Sequence, residues 1–183
     1  MARAALSFLI LASLTAPELR AAGLEELRVA LAEQQVVVSF RLEGAFDDKL
    51  VERVESGLPT TLIYELELMR DRKRWFDRNL QESSLTVVGI YDAVRREYLV
   101  NTKLDGRLLE SRMVHDLAGL QEAMTRFDRL PVFTLEPLPD DRRVLVRVRA
   151  ELGTTHLLGF IPSSVTTDWV ESNKLRPPPE LVR

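Results

Sequence analysis

Alternation of apolar and polar side chains with a period of two runs through most of this chain, and it commits the protein to strands. Leu27, Val29 and Leu31 alternate with Arg28 and Ala30; after the polar Glu33-Gln34-Gln35, Val36, Val38, Phe40 and Leu42 alternate with Ser39 and Arg41. Successive strand residues point to opposite faces, so two such runs across a short polar turn make an antiparallel hairpin with one apolar face. From Thr60 a longer run sets Leu62, Tyr64, Leu66 and Leu68 on one face and Thr61, Ile63, Glu65, Glu67 and Met69 on the other. Leu85 to Asp92 and Glu97 to Leu104 form a second hairpin across Ala93-Val94-Arg95-Arg96, and Asp105-Gly106 marks a turn after it. Pro131 to Leu135 is a short strand. The most regular strand comes last: Val144, Val146, Val148, Ala150 and Leu152 alternate with Leu145, Arg147, Arg149 and Glu151.

The period changes to about 3.6 in two places. Asp47 and Asp48 precede Leu50, Val51 and Val54, and Gly57-Leu58-Pro59 follows, which are start and stop signals for a helix from Asp47 to Ser56. His115 to Phe127 carries Leu117, Leu120, Met124 and Phe127 at helical spacing. No linker, repeat or low-complexity stretch interrupts residues 24–170. The expected fold class is α+β, mainly β: about seven mostly antiparallel strands in a sandwich or curled sheet, with two short helices.

The N-terminus reads differently. Arg3 supplies a short positive region, Ala4 to Leu14 is an apolar run of 11 residues, and Pro17 and Ala21-Ala22 follow. That run is too short to span a bilayer, which takes about 20 residues, and it fits the apolar core of a secretory signal peptide. The expected division is a signal peptide at 1–22, one β-rich domain at 23–170 and a Pro-rich tail at 171–183. Location follows: periplasmic or otherwise exported, with membrane contact through the N-terminal segment if it stays uncleaved. Arginine outnumbers lysine 21 to 4 and no Asn-x-Ser/Thr sequon occurs, which fits an exported bacterial protein.

Composition excludes several chemistries. The chain has no cysteine, so disulfides, thiolate metal sites and a cysteine nucleophile are out. Twenty-five basic against 28 acidic side chains give a net charge of −3, too balanced for a general nucleic-acid binder. Neither a phosphate-cradling glycine loop nor the Gly-x-Ser-x-Gly elbow occurs. His115 and His156, the only histidines, are too far apart in sequence to make a metal site by spacing. Ser111, His115 and Asp116 contain the residue types of a triad, yet near neighbours rarely reach that geometry, and a surface histidine beside a helix cap is the simpler reading. Glu65 and Glu67 share a strand face; with Arg147 and Arg149 on a neighbouring strand they become cross-strand ion pairs. No catalytic residue, metal or cofactor is assigned.

One local feature remains. Arg70 to Arg78 holds Arg70, Arg72, Lys73, Arg74 and Arg78 with Trp75 and Phe76 among them. Trp and Arg are favoured at binding hot spots, so Arg70, Arg72, Arg74, Trp75 and Phe76 are the candidate partner-binding residues. The plainer reading is a solvated hairpin end with Trp75 folded back on the sheet.

Gly57-Leu58-Pro59, the strand Glu65 to Arg70, Arg72-Lys73-Arg74-Trp75, the strand Val146 to Leu152 and Asp168-Trp169 together resemble an uncharacterised family of small exported proteobacterial proteins. The resemblance covers about residues 24–175 and departs at His156 to Pro162. Such proteins are often encoded beside sensor histidine kinases of the nitrogen-regulation type. The resemblance implies an extracytoplasmic accessory role and a protein partner in the periplasm or inner membrane, with no nucleic acid and no catalytic residue. A lipid- or small-ligand-binding β domain is the alternative, and a hydrolase the third reading.

Overall fold

The apolar faces laid down by the alternating runs close on one another as two antiparallel sheets. The structure is a computed structural model, which describes residues 22–71, 78–135, 143–157 and 161–176. In chain order it contains β1 (Gly23–Ala32), β2 (Gln35–Glu43), α1 (Asp48–Glu55), β3 (Thr60–Arg70), β4 (Arg78–Asp92), β5 (Glu97–Leu104), β6 (Arg107–Val114), α2 (Leu117–Thr125), β7 (Arg126–Thr134), β8 (Val144–Leu157), β9 (Ile161–Thr166) and β10 (Val170–Glu171). The small sheet has the order β1-β2-β7. The seven-stranded sheet runs β10-β8-β3-β4-β5-β6, with β9 also on β8. Every pairing is antiparallel, and the mainly β class with two short helices is as expected.

The core lies between the sheets. Val36, Val38, Phe40 and Leu42 of β2 face Leu62, Tyr64, Leu66 and Leu68 of β3, with Leu85, Val87, Val144, Val146 and Val148 beside them, all buried. Tyr64 sits at the centre. Its ring lies 5.1 Å from that of Phe40 and 5.3 Å from that of Phe127, and its hydroxyl donates to the Met124 carbonyl at 2.8 Å. Burial pushes the Tyr64 hydroxyl far above the ordinary tyrosine range, so it is a permanent donor.

Both helices form where their caps allow. Asp47 accepts a bond from the Leu50 N–H at 2.8 Å and starts α1; Gly57, at φ +79°, ends it in the left-handed conformation that glycine adopts without strain. Asp116 caps α2 in the same way through Gly119 N–H at 2.7 Å. Leu120 and Met124 of α2 then lie against β4 at Gly89, where a Cβ would meet the Met124 sulfur at 2.6 Å. Glycine is needed there for close approach.

Three strands run longer than the sequence reading has them, β4 from Arg78, β7 from Arg126 and β8 to Leu157, and four further elements differ. The second helix stops at Thr125, and Phe127 belongs to β7, where it packs on Phe40 at 5.0 Å. Its helical spacing from Met124 is a coincidence of two elements that bury the same face. Strand β6 follows the Asp105-Gly106 turn, where no strand was expected. Strands β9 and β10 are the others, and they line the outer side of β8.

Beyond β10 the chain stays along β8 and reaches the small sheet through one side chain. Ser172 N–H donates to the Val146 carbonyl, and Val144 and Leu175 exchange backbone bonds, all on β8. Between them Asn173 turns to β1: its Oδ1 accepts from Val29 N–H at 3.0 Å and its Nδ2 donates to Val29 C=O at 3.2 Å. A side-chain amide here takes the place of a neighbouring strand.

Candidate functional site

The charged face of the large sheet is built by register. Glu65 pairs with Arg149 and Glu67 with Arg147 across β3 and β8. Arg149 Nε donates to Glu65 Oε2 and Arg147 Nε to Glu67 Oε2, each at 2.7 Å. Both guanidinium carbons lie 4.6 Å from the centre of the Trp169 ring. Each arginine is therefore held between a carboxylate and an indole face, an arrangement that stiffens the sheet and ties down residue 169. The two glutamates are engaged in ion pairs with arginines, and they do not face one another as a hydrolytic carboxylate pair does.

Ser111, His115 and Asp116 are not brought together as a triad. His115 Nδ1 pairs with Glu97 at 2.8 Å with its side chain 83% exposed, Asp116 is the α2 cap, and Ser111 stands opposite Asn101 on β6. His156 lies on β8, opposite Pro162. Among the described residues no cluster of three or more His, Asp and Glu side chains could hold a metal ion.

Of the proposed partner-binding residues, Arg70 closes β3, paired with Arg78 and Val144, and is only 6% exposed. Arg72, Arg74, Trp75 and Phe76 lie outside the described residues.

Two surface features were missed by the sequence reading. The first is a hollow of about 190 Å³ at the small sheet, lined by Glu26, Arg28, Ser39, Arg41, Arg126 and Asp128 among others. A bulge in β1 at Glu26 and one in β7 at Arg129, both at positive φ, bend the strands around it. Arg41 and Arg126 stand directly opposite each other, and the Arg41 Nε is shielded from solvent without a hydrogen-bond acceptor. Arg41 and Arg126 each touch a carboxylate elsewhere: Glu43 at 3.9 Å and Glu122 at 2.8 Å.

The second is the edge strand β6. Residues 107–112 are all exposed, and Leu108 and Leu109 are exposed by 58% and 48%. A bulge against β5 at this point lets two adjacent leucines stand out together. The legible signal was the Asp-Gly turn followed by a segment the length of β5; the doubled leucine hid its alternation.

These features define an open antiparallel β protein of two packed sheets with short capping helices. The chain belongs to the family described as Domain of unknown function (DUF4390), which matches residues 20–160. No curated protein and no solved structure matches the chain. Among the described residues no helix is long and apolar enough to cross a membrane.

Proposed function

We propose that this protein is a non-catalytic extracytoplasmic interaction domain that captures a protein partner along the open edge of its large sheet. The observation that carries this reading is β6: among the described residues it is bonded on one side only, with Leu108 and Leu109 exposed at its outer end. An open edge offers backbone donors and acceptors to an incoming extended segment, and exposed leucines add apolar contact, the elements of recognition by strand addition. The contacts of the carboxylates and the histidine considered for catalysis suit this reading: Glu65 and Glu67 pair with arginines, His115 pairs with Glu97, and Asp116 caps α2. Export rests on the pattern of residues 1–22, and the resemblance to proteins encoded beside sensor kinases makes the external region of a membrane kinase the first partner to test. The Arg72, Arg74, Trp75 and Phe76 cluster is the second contact in this reading.

The test compares capture of envelope proteins by the full chain, by Leu108→Asp/Leu109→Asp and by Arg72→Ala/Arg74→Ala/Trp75→Ala. Loss in the β6 variant, with thermal unfolding unchanged, is the expected result. Capture that survives both sets of substitutions overturns the reading.

A small-ligand role is favoured by one observation, the arginine-lined hollow at the small sheet. Its lining includes Arg28, Arg41 and Arg126, which suits a small oxyanion better than a lipid. If that role holds, inorganic phosphate raises the melting temperature of the wild type and leaves Arg41→Gln unmoved.

A further inference from the structure

The large sheet has two edges, and they are treated differently. Beyond β8 the edge is formed by the short strands β9 and β10. The other edge is β6. Natural sheets protect such edges with charge, bulges or cover, and β6 carries Arg107, Glu110, Arg112 and a bulge; what these devices leave uncovered is Leu108 and Leu109, which an occupant would bury. Resting on the reading of β6 as an interaction edge, we propose that the occupant is β6 of a second copy of this chain, paired antiparallel about a two-fold axis at Ser111.

Symmetry restricts the register. A two-fold axis that makes two strands antiparallel in one sheet stands normal to that sheet and keeps its faces, so some residue must lie opposite its own copy. Centring on Glu110 or on Arg112 sets like charges against each other, which destabilises a cross-strand pair. Centring on Ser111 does the reverse. Glu110 of each chain then faces Arg112 of the other, and Leu109 and Leu108 approach Met113 and Val114 of the second copy. Within one chain Glu110 and Arg112 make only a loose contact of 3.8 Å, with side chains 58% and 49% exposed. Across the axis each carboxylate gains a guanidinium neighbour, twice over by symmetry. The leucines turned outward by the bulge gain cover at both ends of the pairing. The two large sheets join into one continuous sheet. The charges that keep an arbitrary strand away thus accept this one, which is how a polar edge gains specificity.

Sedimentation equilibrium on the full chain tests this, with Glu110→Arg, Arg112→Glu and the double variant Glu110→Arg/Arg112→Glu. The wild type is expected to be dimeric. Each single substitution replaces two attractions by two repulsions and is expected to weaken the dimer about tenfold or more, while the double variant restores the pairs and returns most of the affinity. Circular dichroism on each variant separates a lost dimer from a lost fold, and the rescue excludes association through the apolar N-terminal segment. A monomeric wild type, or a dimer indifferent to all three variants, overturns the self-pairing. If the wild type is monomeric while Leu108→Asp/Leu109→Asp abolishes capture of another protein, the second copy is wrong and the interaction edge stands. If neither dimer nor capture depends on β6, both fail.

Discussion

Replacing Asn173 by alanine removes the link between the C-terminal segment and β1. The amide forms two bonds with one residue, accepting from the Val29 N–H at 3.0 Å and donating to the Val29 carbonyl at 3.2 Å. Val29 is 6% exposed and both bonds are partly buried, so water replaces the lost partners only in part. A neutral hydrogen bond contributes about 1 kcal/mol net, and a buried group left without a partner costs about 1–3 kcal/mol, so the expected loss is about 2–3 kcal/mol. In a domain of this size each kcal/mol lowers the melting temperature by about 2–4 °C, giving a fall of about 4–12 °C. Thermal unfolding followed by far-ultraviolet circular dichroism measures it, and urea unfolding should show a lower midpoint with unchanged slope. Asn173→Asp keeps an acceptor but sets a carboxylate oxygen against the Val29 carbonyl, so it should be no better than alanine. Amide exchange at Val29 should accelerate in both variants. A melting temperature within about 1 °C of wild type would refute the reasoning, because it would mean that solvent satisfies Val29 as well as Asn173 does.

Three further outcomes follow from the packing. Arg147→Leu strands Glu67, whose side chain is 15% exposed, and should cost about 3 kcal/mol, whereas Arg147→Leu/Glu67→Leu should cost less than that single change; chemical denaturation of both checks the order. Gly89→Ala drives a methyl group towards the Met124 sulfur and Leu120 and should cost about 1–3 kcal/mol by the same measurement. Tyr64 must stay protonated in the native state because burial raises its pKa, so its contribution is complete below the unfolded value of about 10 and is lost as pH rises above it. Tyr64→Phe should therefore be less stable than wild type at neutral pH and lose less stability between about pH 10 and 12, read by urea midpoints across that range.

The elements legible in the sequence were those whose burial has a single period. Val36, Val38, Phe40 and Leu42 of β2 and Leu62, Tyr64, Leu66 and Leu68 of β3 keep a period of two and are all buried, although Val37 is buried on the other face of β2. The α1 helix was readable from both ends, through Asp47 and Gly57. The Glu65 and Glu67 pairs with Arg149 and Arg147 were legible too, because equal spacing on two strands needs only the right register. What escaped was set by other forces. The bulge in β6 puts Leu108 beside Leu109 and erases its alternation. Phe127 keeps helical spacing from Met124 while standing on a strand, since Phe40 and Tyr64 hold its ring. β9 and β10 pair through backbone bonds to β8, which leave little trace in side-chain polarity. The arginine-lined hollow draws on three strands and two bulges, so no sequence window contains it.

The most direct test of the account is a photoreactive residue at position 109 of the full chain, activated in intact cells before fractionation. The account predicts discrete adducts in the extracytoplasmic fraction, with a second copy of the chain among them, and their loss on charge reversal at Glu110. Adducts confined to the cytoplasm, or none at position 109 in a folded and exported chain, would contradict it.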